Sequence, residues 1–116
     1  MPKLHDKLAS MIPALRQEVS ALVKEHGNKV ISEVNVGQAF GGMRGVKGLV
    51  CDTSVVEPDT GLVIRNIPII ELADKLPEEV FYLLCVGELP DAETLADLQA
   101  DLRQRAAVPD YLWAVL

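Results

Sequence analysis

Apolar residues recur every three or four positions over the first part of the chain. They are Leu4, Leu8, Ile12, Leu15, Val19 and Leu22. This spacing places them on one face of an amphipathic helix and predicts a leading helix over residues 3–26. Pro13 interrupts the segment and lacks a backbone donor, so we expect a kink or a restart there. Gly27 suits the left-handed position that follows a helix and predicts its end.

A glycine-rich turn and a β-hairpin are predicted over residues 30–66. Asn35 can cap a short helical turn, and the four glycines at positions 41, 42, 45 and 48 exclude a long helix beyond it. Residues 49–56 and 62–65 are predicted as two strands. The link between them has proline early and glycine late, which favours a hairpin.

The spacing becomes helical again from Ile67 to residue 116. Pro68 suits a first helical turn, and Pro77 begins a helix that is apolar over much of its circumference and should be deeply buried. Gly87 is predicted to end this helix, and Asp91 can cap the next one. Pro109 precedes a last segment that ends on apolar residues without a stop signal, which is typical of an incomplete helix. The predicted fold is mainly α, with a small antiparallel β-hairpin.

Composition and charge narrow the class of protein. Hydrophobic residues make up 49% of the chain and aromatic residues only 4%, so the apolar content is aliphatic, which favours a helix-rich protein over a β-sandwich. The net charge of −6 disfavours nucleic acid and anionic membranes as partners. No apolar run approaches the roughly 20 residues of a membrane span. The first ten residues contain neither a hydrophobic signal segment nor an Arg- and Ser-rich transit sequence, so a cytoplasmic location is expected.

The cysteines and histidines are too far apart in the sequence for a metal site. Cys51 and Cys85 have no CxxC spacing, and His5 and His26 are isolated. The pattern predicts two buried free thiols and no metal.

The segment GGMRGVKG, residues 41–48, is the candidate binding site. Glycines let backbone N–H groups approach an anion, and Arg44 and Lys47 add positive charge. Arg44 can bind a phosphate through two parallel hydrogen bonds. The spacing is neither that of a P-loop nor that of a dinucleotide-binding turn. The chemistry of these residues is equally that of a glycine-rich turn that leads into a strand, with two solvated cations and no ligand.

Several motifs together resemble the amino-terminal region of citrate synthases, especially the type found in mitochondria and some bacteria. They are GGMRG at 41–45, GLVCDTSV at 48–55, EPDTG at 57–61 and the His-Gly-Asn corner at 26–28. The run LPEEVFYLLCVGELP extends the similarity over essentially the whole chain. Asn66 stands where the family usually has glycine, and asparagine tolerates positive φ. The resemblance implies that residues 1–116 form the amino-terminal part of a large helical domain.

The resemblance also implies a function. Citrate synthases are homodimers that condense acetyl-CoA with oxaloacetate, with coenzyme A as part of a substrate and no permanently bound cofactor. Arg44 matches the family arginine that contacts a CoA phosphate, and Lys47 is added for its charge and proximity. The catalytic histidine pair and aspartate of the family have no counterpart here. No catalytic residue is therefore expected in this stretch, and the 116-residue chain alone is expected to be inactive.

Two alternatives stay open at this point. A naturally truncated, non-catalytic chain could bind CoA or dock onto a complete subunit. A segment of a 2-methylcitrate synthase would belong to an enzyme that uses propionyl-CoA, and the pocket residues that set this choice lie outside the chain.

Overall fold

The computed structural model describes residues 3–113 and 115, which fold mainly into helices. The α-helices are α1 (Lys3–His26), α2 (Val36–Phe40), α3 (Pro77–Val86), α4 (Ala92–Arg105) and α5 (Asp110–Trp113). The strands are β1 (Ser54–Glu57), β2 (Gly61–Ile64) and β3 (Ile67–Pro68), and a 3-10 helix spans Ile69–Leu72. The prediction of a mainly α fold with a small antiparallel sheet is confirmed. The predicted end of the last helix includes residues 114 and 116, which lie outside the described residues.

Helix α1 is continuous through Pro13, so the predicted restart is wrong. Proline removes one backbone hydrogen bond, and the turns on either side of it belong to the same 24-residue helix. Only the amino-terminal half of α1 is packed: Leu4, Leu8 and Met11 contact the cluster formed by α3 and α4. The apolar residues of the second half, including Val19 and Leu22, are exposed.

The hairpin is shorter than the sequence predicts. β1 pairs with β2 from Ser54 opposite Ile64 to Glu57 opposite Gly61. The predicted first strand began at residue 49. The Arg65 N–H still donates to the Thr53 carbonyl oxygen at 2.9 Å, but the chain then turns, and within the described residues no strand pairs with residues 49–53. Gly61 has φ +73° and closes the three-residue loop between the strands, as a left-handed position in such loops favours glycine.

A third strand was missed. Arg65 and Asn66 both have positive φ, +47° and +66°, and form a two-residue turn that reverses the chain. β3 then pairs with β2, with Ile67 opposite Ile64, so the prediction of a helix from Ile67 onward is wrong for its first two residues. Pro68 is tolerated there because β3 is an edge strand. The tolerance of Asn66 for positive φ is confirmed.

Helix α3 lies between the two clusters that form the core. On one side Leu83, fully buried, packs with Ile64 of β2 and Leu72 of the 3-10 helix. On the other side Tyr82 and its neighbour Val86 pack with Leu98 of α4 and with the start of α1. Fully burying one such aliphatic side chain stabilises the fold by about 1.5–3 kcal/mol. The apolar character of α3 around its circumference therefore follows from having partners on two sides.

The helix ends follow the sequence signals. Pro77 occupies the first turn of α3, and Gly87, with φ +93°, ends it in the left-handed conformation. The carboxylate of Asp91 accepts a hydrogen bond from the Thr94 N–H at 2.7 Å and caps α4.

Candidate functional site

The glycine-rich loop of residues 41–48 follows directly after the short helix α2. Asn35 caps this helix: its Oδ1 accepts the Gln38 N–H at 2.9 Å, while Gln38 Oε1 accepts the Asn35 N–H at 3.1 Å. This reciprocal pair is a capping box. The Asn35 cap was predicted from the sequence. The reciprocal contact of Gln38 was missed, although the Asn-x-x-Gln spacing is the signal for that pair.

The end of α2 sets the course of the loop. The Met43 N–H donates to the Gln38 carbonyl oxygen at 2.8 Å, across five residues, as in a Schellman motif. Gly42 and Met43 have φ +77° and +60°. Glycine adopts this left-handed region without steric cost, whereas Met43 adopts it against the preference of a side chain with a Cβ.

Further hydrogen bonds anchor the loop on both sides of Arg44. Gln38 Nε2 donates to the Arg44 carbonyl oxygen at 3.3 Å. The Val46 N–H donates to the Met43 carbonyl oxygen at 3.1 Å. The Lys47 N–H donates to Ser32 Oγ at 3.3 Å, which ties the loop to the extended segment before α2. The backbone of the loop is thus held by Gln38 and Ser32 from outside and by one hydrogen bond within the loop.

Both predicted site residues lie on this loop, three positions apart, and both side chains are exposed. Within residues 3–113 and 115, neither Arg44 nor Lys47 forms an ion pair with a carboxylate. In the same part of the chain, the N–H groups of Gly42, Arg44, Gly45 and Gly48 donate to no acceptor. The loop therefore presents two cations and four backbone donors, which suits an anion such as a phosphate.

The carboxylates near the hairpin do not form an acid–base pair. Asp52 lies 3.6 Å from the guanidinium of Arg65, and Glu57 and Asp59 are exposed at the hairpin turn. These positions agree with solvated turn residues.

The sequence predicted two buried free thiols, and the predicted burial is wrong. Both cysteines are free, but Cys51 is exposed and Cys85 is only partly buried. Cys51 lies in the segment without a partner strand, which explains its exposure. Its Sγ lies 3.5 Å from Thr53 Oγ1 and 3.7 Å from Ser54 Oγ. Hydrogen bonds from these two residues, the Thr53 hydroxyl first, lower the pKa of the Cys51 thiol to about 7.

A metal-binding cluster and a membrane-spanning helix are both absent from residues 3–113 and 115. No group of three or more histidine, cysteine, aspartate or glutamate side chains is close enough to hold a metal ion. None of the helices in this part of the chain combines the length and the apolar character that a membrane crossing requires.

The chain is similar to two relatives over almost its whole length. It is 39% identical over 123 residues to the mitochondrial citrate synthase of Saccharomyces cerevisiae, an alignment that covers 97% of this chain and 26% of the relative. It is 39% identical over 119 residues to the mitochondrial 2-methylcitrate synthase of Yarrowia lipolytica, covering 94% of this chain and 26% of the relative. The chain therefore spans about a quarter of the length of these relatives.

The predicted cytoplasmic location is corrected by these relatives, both of which are named as mitochondrial proteins. The prediction rested on the lack of a hydrophobic signal segment and of an Arg- and Ser-rich transit sequence in the first ten residues. Both observations describe those ten residues only, and they do not identify a compartment.

A family comparison agrees with the relatives and with the motifs. Residues 42–116, more than half of the chain, match the family model described as citrate synthase, C-terminal domain. The matched region includes most of the glycine-rich loop, the sheet and helices α3 to α5. The position of the chain within a longer enzyme stays a prediction. On the match and the 39% identity, the chain belongs to the citrate synthase family.

Proposed function

We propose that the protein to which this chain belongs is a citrate synthase, which condenses acetyl-CoA with oxaloacetate and water to give citrate and CoA. Family membership and the identity to a named citrate synthase support this proposal. The observation that carries it in this chain is the loop of residues 41–48, where Arg44 and Lys47 are exposed beside four backbone donors.

In this proposal the loop binds a phosphate of CoA. The planar guanidinium of Arg44 donates two parallel hydrogen bonds to phosphate oxygens, and Lys47 adds a point charge. The N–H groups of Gly42, Arg44, Gly45 and Gly48 supply further donors. The CoA phosphates are remote from the thioester that reacts. This contact should therefore strengthen the binding of the substrate and of the transition state equally. It should therefore lower KM for acetyl-CoA without changing kcat.

The remaining parts of the proposal follow the family. Oxaloacetate is the second substrate, the protein is a homodimer, and no permanently bound cofactor, nucleic acid or membrane takes part. Exposed aliphatic side chains such as Val19 and Leu22 of α1 leave apolar surface for other parts of an assembly. We propose a mitochondrial location, as stated in the names of both relatives.

A second candidate function is 2-methylcitrate synthesis, in which propionyl-CoA replaces acetyl-CoA. The 39% identity to the 2-methylcitrate synthase of Yarrowia lipolytica favours it as much as the same identity favours citrate synthesis. The two substrates differ by one methylene group, which a hydrophobic pocket discriminates by only about 10- to 200-fold. A CoA phosphate contact at Arg44 is compatible with both functions, because acetyl-CoA and propionyl-CoA carry the same phosphates.

The experiment that tests these proposals uses the protein expressed from its complete gene. Release of the CoA thiol is measured with oxaloacetate and either acetyl-CoA or propionyl-CoA, and omission of oxaloacetate gives the hydrolysis background. A higher kcat/KM with acetyl-CoA supports the first proposal, and a higher value with propionyl-CoA supports the second. No oxaloacetate-dependent release with either substrate would contradict both and favour a non-catalytic CoA-binding or docking module.

A further inference from the structure

We propose that Gln38 is a positioning residue for the CoA phosphate contact, acting through the backbone of Arg44. This inference rests on the proposed function, since it assigns to Gln38 the task of fixing the loop that binds the phosphate. Gln38 itself is placed on α2 and would not touch CoA.

Gln38 forms four hydrogen bonds, two to the N-cap of α2 and two to the loop. Its backbone N–H donates to Asn35 Oδ1 at 2.9 Å, and its backbone carbonyl accepts the Met43 N–H at 2.8 Å. Its side-chain Oε1 accepts the Asn35 N–H at 3.1 Å, and its Nε2 donates to the Arg44 carbonyl oxygen at 3.3 Å. The side chain is partly buried, whereas Arg44 is exposed. One residue thus contacts both the start of α2 and the centre of the loop.

The two polar atoms of the side chain have separate tasks. Oε1 completes the capping box of a five-residue helix, which is too short to be stable without such support. Nε2 makes the side-chain hydrogen bond to the Arg44 backbone. A variant can therefore remove the contact to Arg44 and keep an acceptor for the Asn35 N–H.

Fixing the Arg44 backbone matters because the loop is rich in glycine. Glycine residues have the largest conformational freedom to lose on ordering. Binding of a phosphate must compensate for the entropy lost when Arg44 and its neighbours are ordered. A loop already held by Gln38 loses less on binding, so removal of the Nε2 contact should weaken binding of the acyl-CoA and leave the chemical step unchanged.

Two substitutions of Gln38, made in the protein expressed from its complete gene, separate the task of Oε1 from that of Nε2. Gln38→Glu keeps an acceptor for the Asn35 N–H but has no donor for the Arg44 carbonyl. Gln38→Met has neither group and is uncharged, so it controls for the charge that glutamate adds beside Arg44. Gln17→Glu and Gln17→Met are the matched controls, because Gln17 is exposed on α1.

The first readout is the division of the effect between KM and kcat. Loss of the hydrogen bond to the Arg44 carbonyl, which both Gln38 variants share, should raise KM for acetyl-CoA about two- to tenfold, with kcat within about twofold. Arg44→Ala should raise KM for acetyl-CoA more, and the Gln17 variants should leave KM unchanged. A general structural fault would lower kcat as well. If Gln38→Met does not fold, Gln38→Glu, which keeps the cap, decides the question.

The second readout does not depend on CoA. Trypsin cleavage after Arg44, relative to cleavage after Arg16 in the same chain, should become severalfold faster in the Gln38 variants. An unchanged ratio would overturn the inference. An unchanged KM in both Gln38 variants, with a raised KM in Arg44→Ala, would overturn the inference and leave the proposed CoA contact standing. An unchanged KM in Arg44→Ala would overturn the CoA contact and the inference together.

Discussion

The guanidinium of Arg65 donates two hydrogen bonds to the carbonyl oxygen of Leu84, at 2.9 Å from Nη2 and 3.2 Å from Nε. Leu84 lies in the last turn of α3, where carbonyl groups lack intrahelical partners and a positive charge is favourable. The same guanidinium donates through Nη1 to the Asp52 carbonyl oxygen at 3.3 Å. Arg65 thus joins the end of α3 to the segment before β1.

Replacing this arginine should destabilise the fold. Arg65→Met keeps most of the apolar stem and removes every donor, so the Leu84 and Asp52 carbonyls lose a charged partner. The free energy of unfolding, measured in urea, should fall by about 1.5–3 kcal/mol. Arg16→Met, at an exposed position of α1, is the control and should change it by less than about 0.5 kcal/mol. Equal effects of the two substitutions would show that the Leu84 contact contributes nothing.

The sheet shows why part of the fold was not predictable. The turn at Arg65 and Asn66 has positive φ at both residues. The sequence indicated this conformation for Asn66, but nothing in the sequence indicated it for Arg65. Ile67 and Pro68 then pair with β2 although their spacing continues the helical pattern. In contrast, the helix caps at Asp91 and Gly87 depend on a local residue type, and the sequence predicted both.

Cys51 should react as a thiolate near neutral pH. Hydrogen bonds from Thr53 and Ser54 lower the pKa of its thiol to about 7. The rate of alkylation by iodoacetamide should therefore be half-maximal near that pH, and Thr53→Val should move the midpoint toward the usual value of about 8.5. Cys51→Ser identifies the contribution of Cys85, which is partly buried. A midpoint at about 8.5 for both the parent protein and Thr53→Val would show that these hydrogen bonds do not lower the pKa of Cys51.

The cap of α4 should make stability depend on pH. The Thr94 N–H hydrogen bond, followed by the hydrogen bond of the Thr94 side chain, holds the pKa of Asp91 below its ordinary value. The folded state therefore favours the carboxylate. The stability that this supplies is present above the unfolded pKa of about 3.9 and is lost as pH falls through the folded pKa.

Asp91→Asn keeps an oxygen acceptor and removes the charge, so it isolates that dependence. In urea unfolding, the difference between the parent protein and Asp91→Asn should be constant between about pH 5 and 7 and should shrink below about pH 4. A difference that stays constant down to about pH 3 would show that the charge of Asp91 makes no contribution.

The candidate site was predictable in composition and not in arrangement. The glycines, Arg44 and Lys47 identified the loop from the sequence alone. The contact of Gln38 with the Arg44 carbonyl was not predictable, because it depends on how the end of α2 directs the chain through Gly42 and Met43. The low pKa of Cys51 likewise depends on hydroxyl positions that only the folded segment fixes.

The central claim, that the loop of residues 41–48 binds a CoA phosphate, is tested most directly by CoA binding to Arg44→Ala. Titration calorimetry on the protein expressed from its complete gene gives the dissociation constant, with Arg16→Ala as the control. Loss of a charge-assisted contact should weaken binding about 10- to 150-fold and reduce its dependence on salt. The same dissociation constant for Arg44→Ala and the parent protein would contradict the claim.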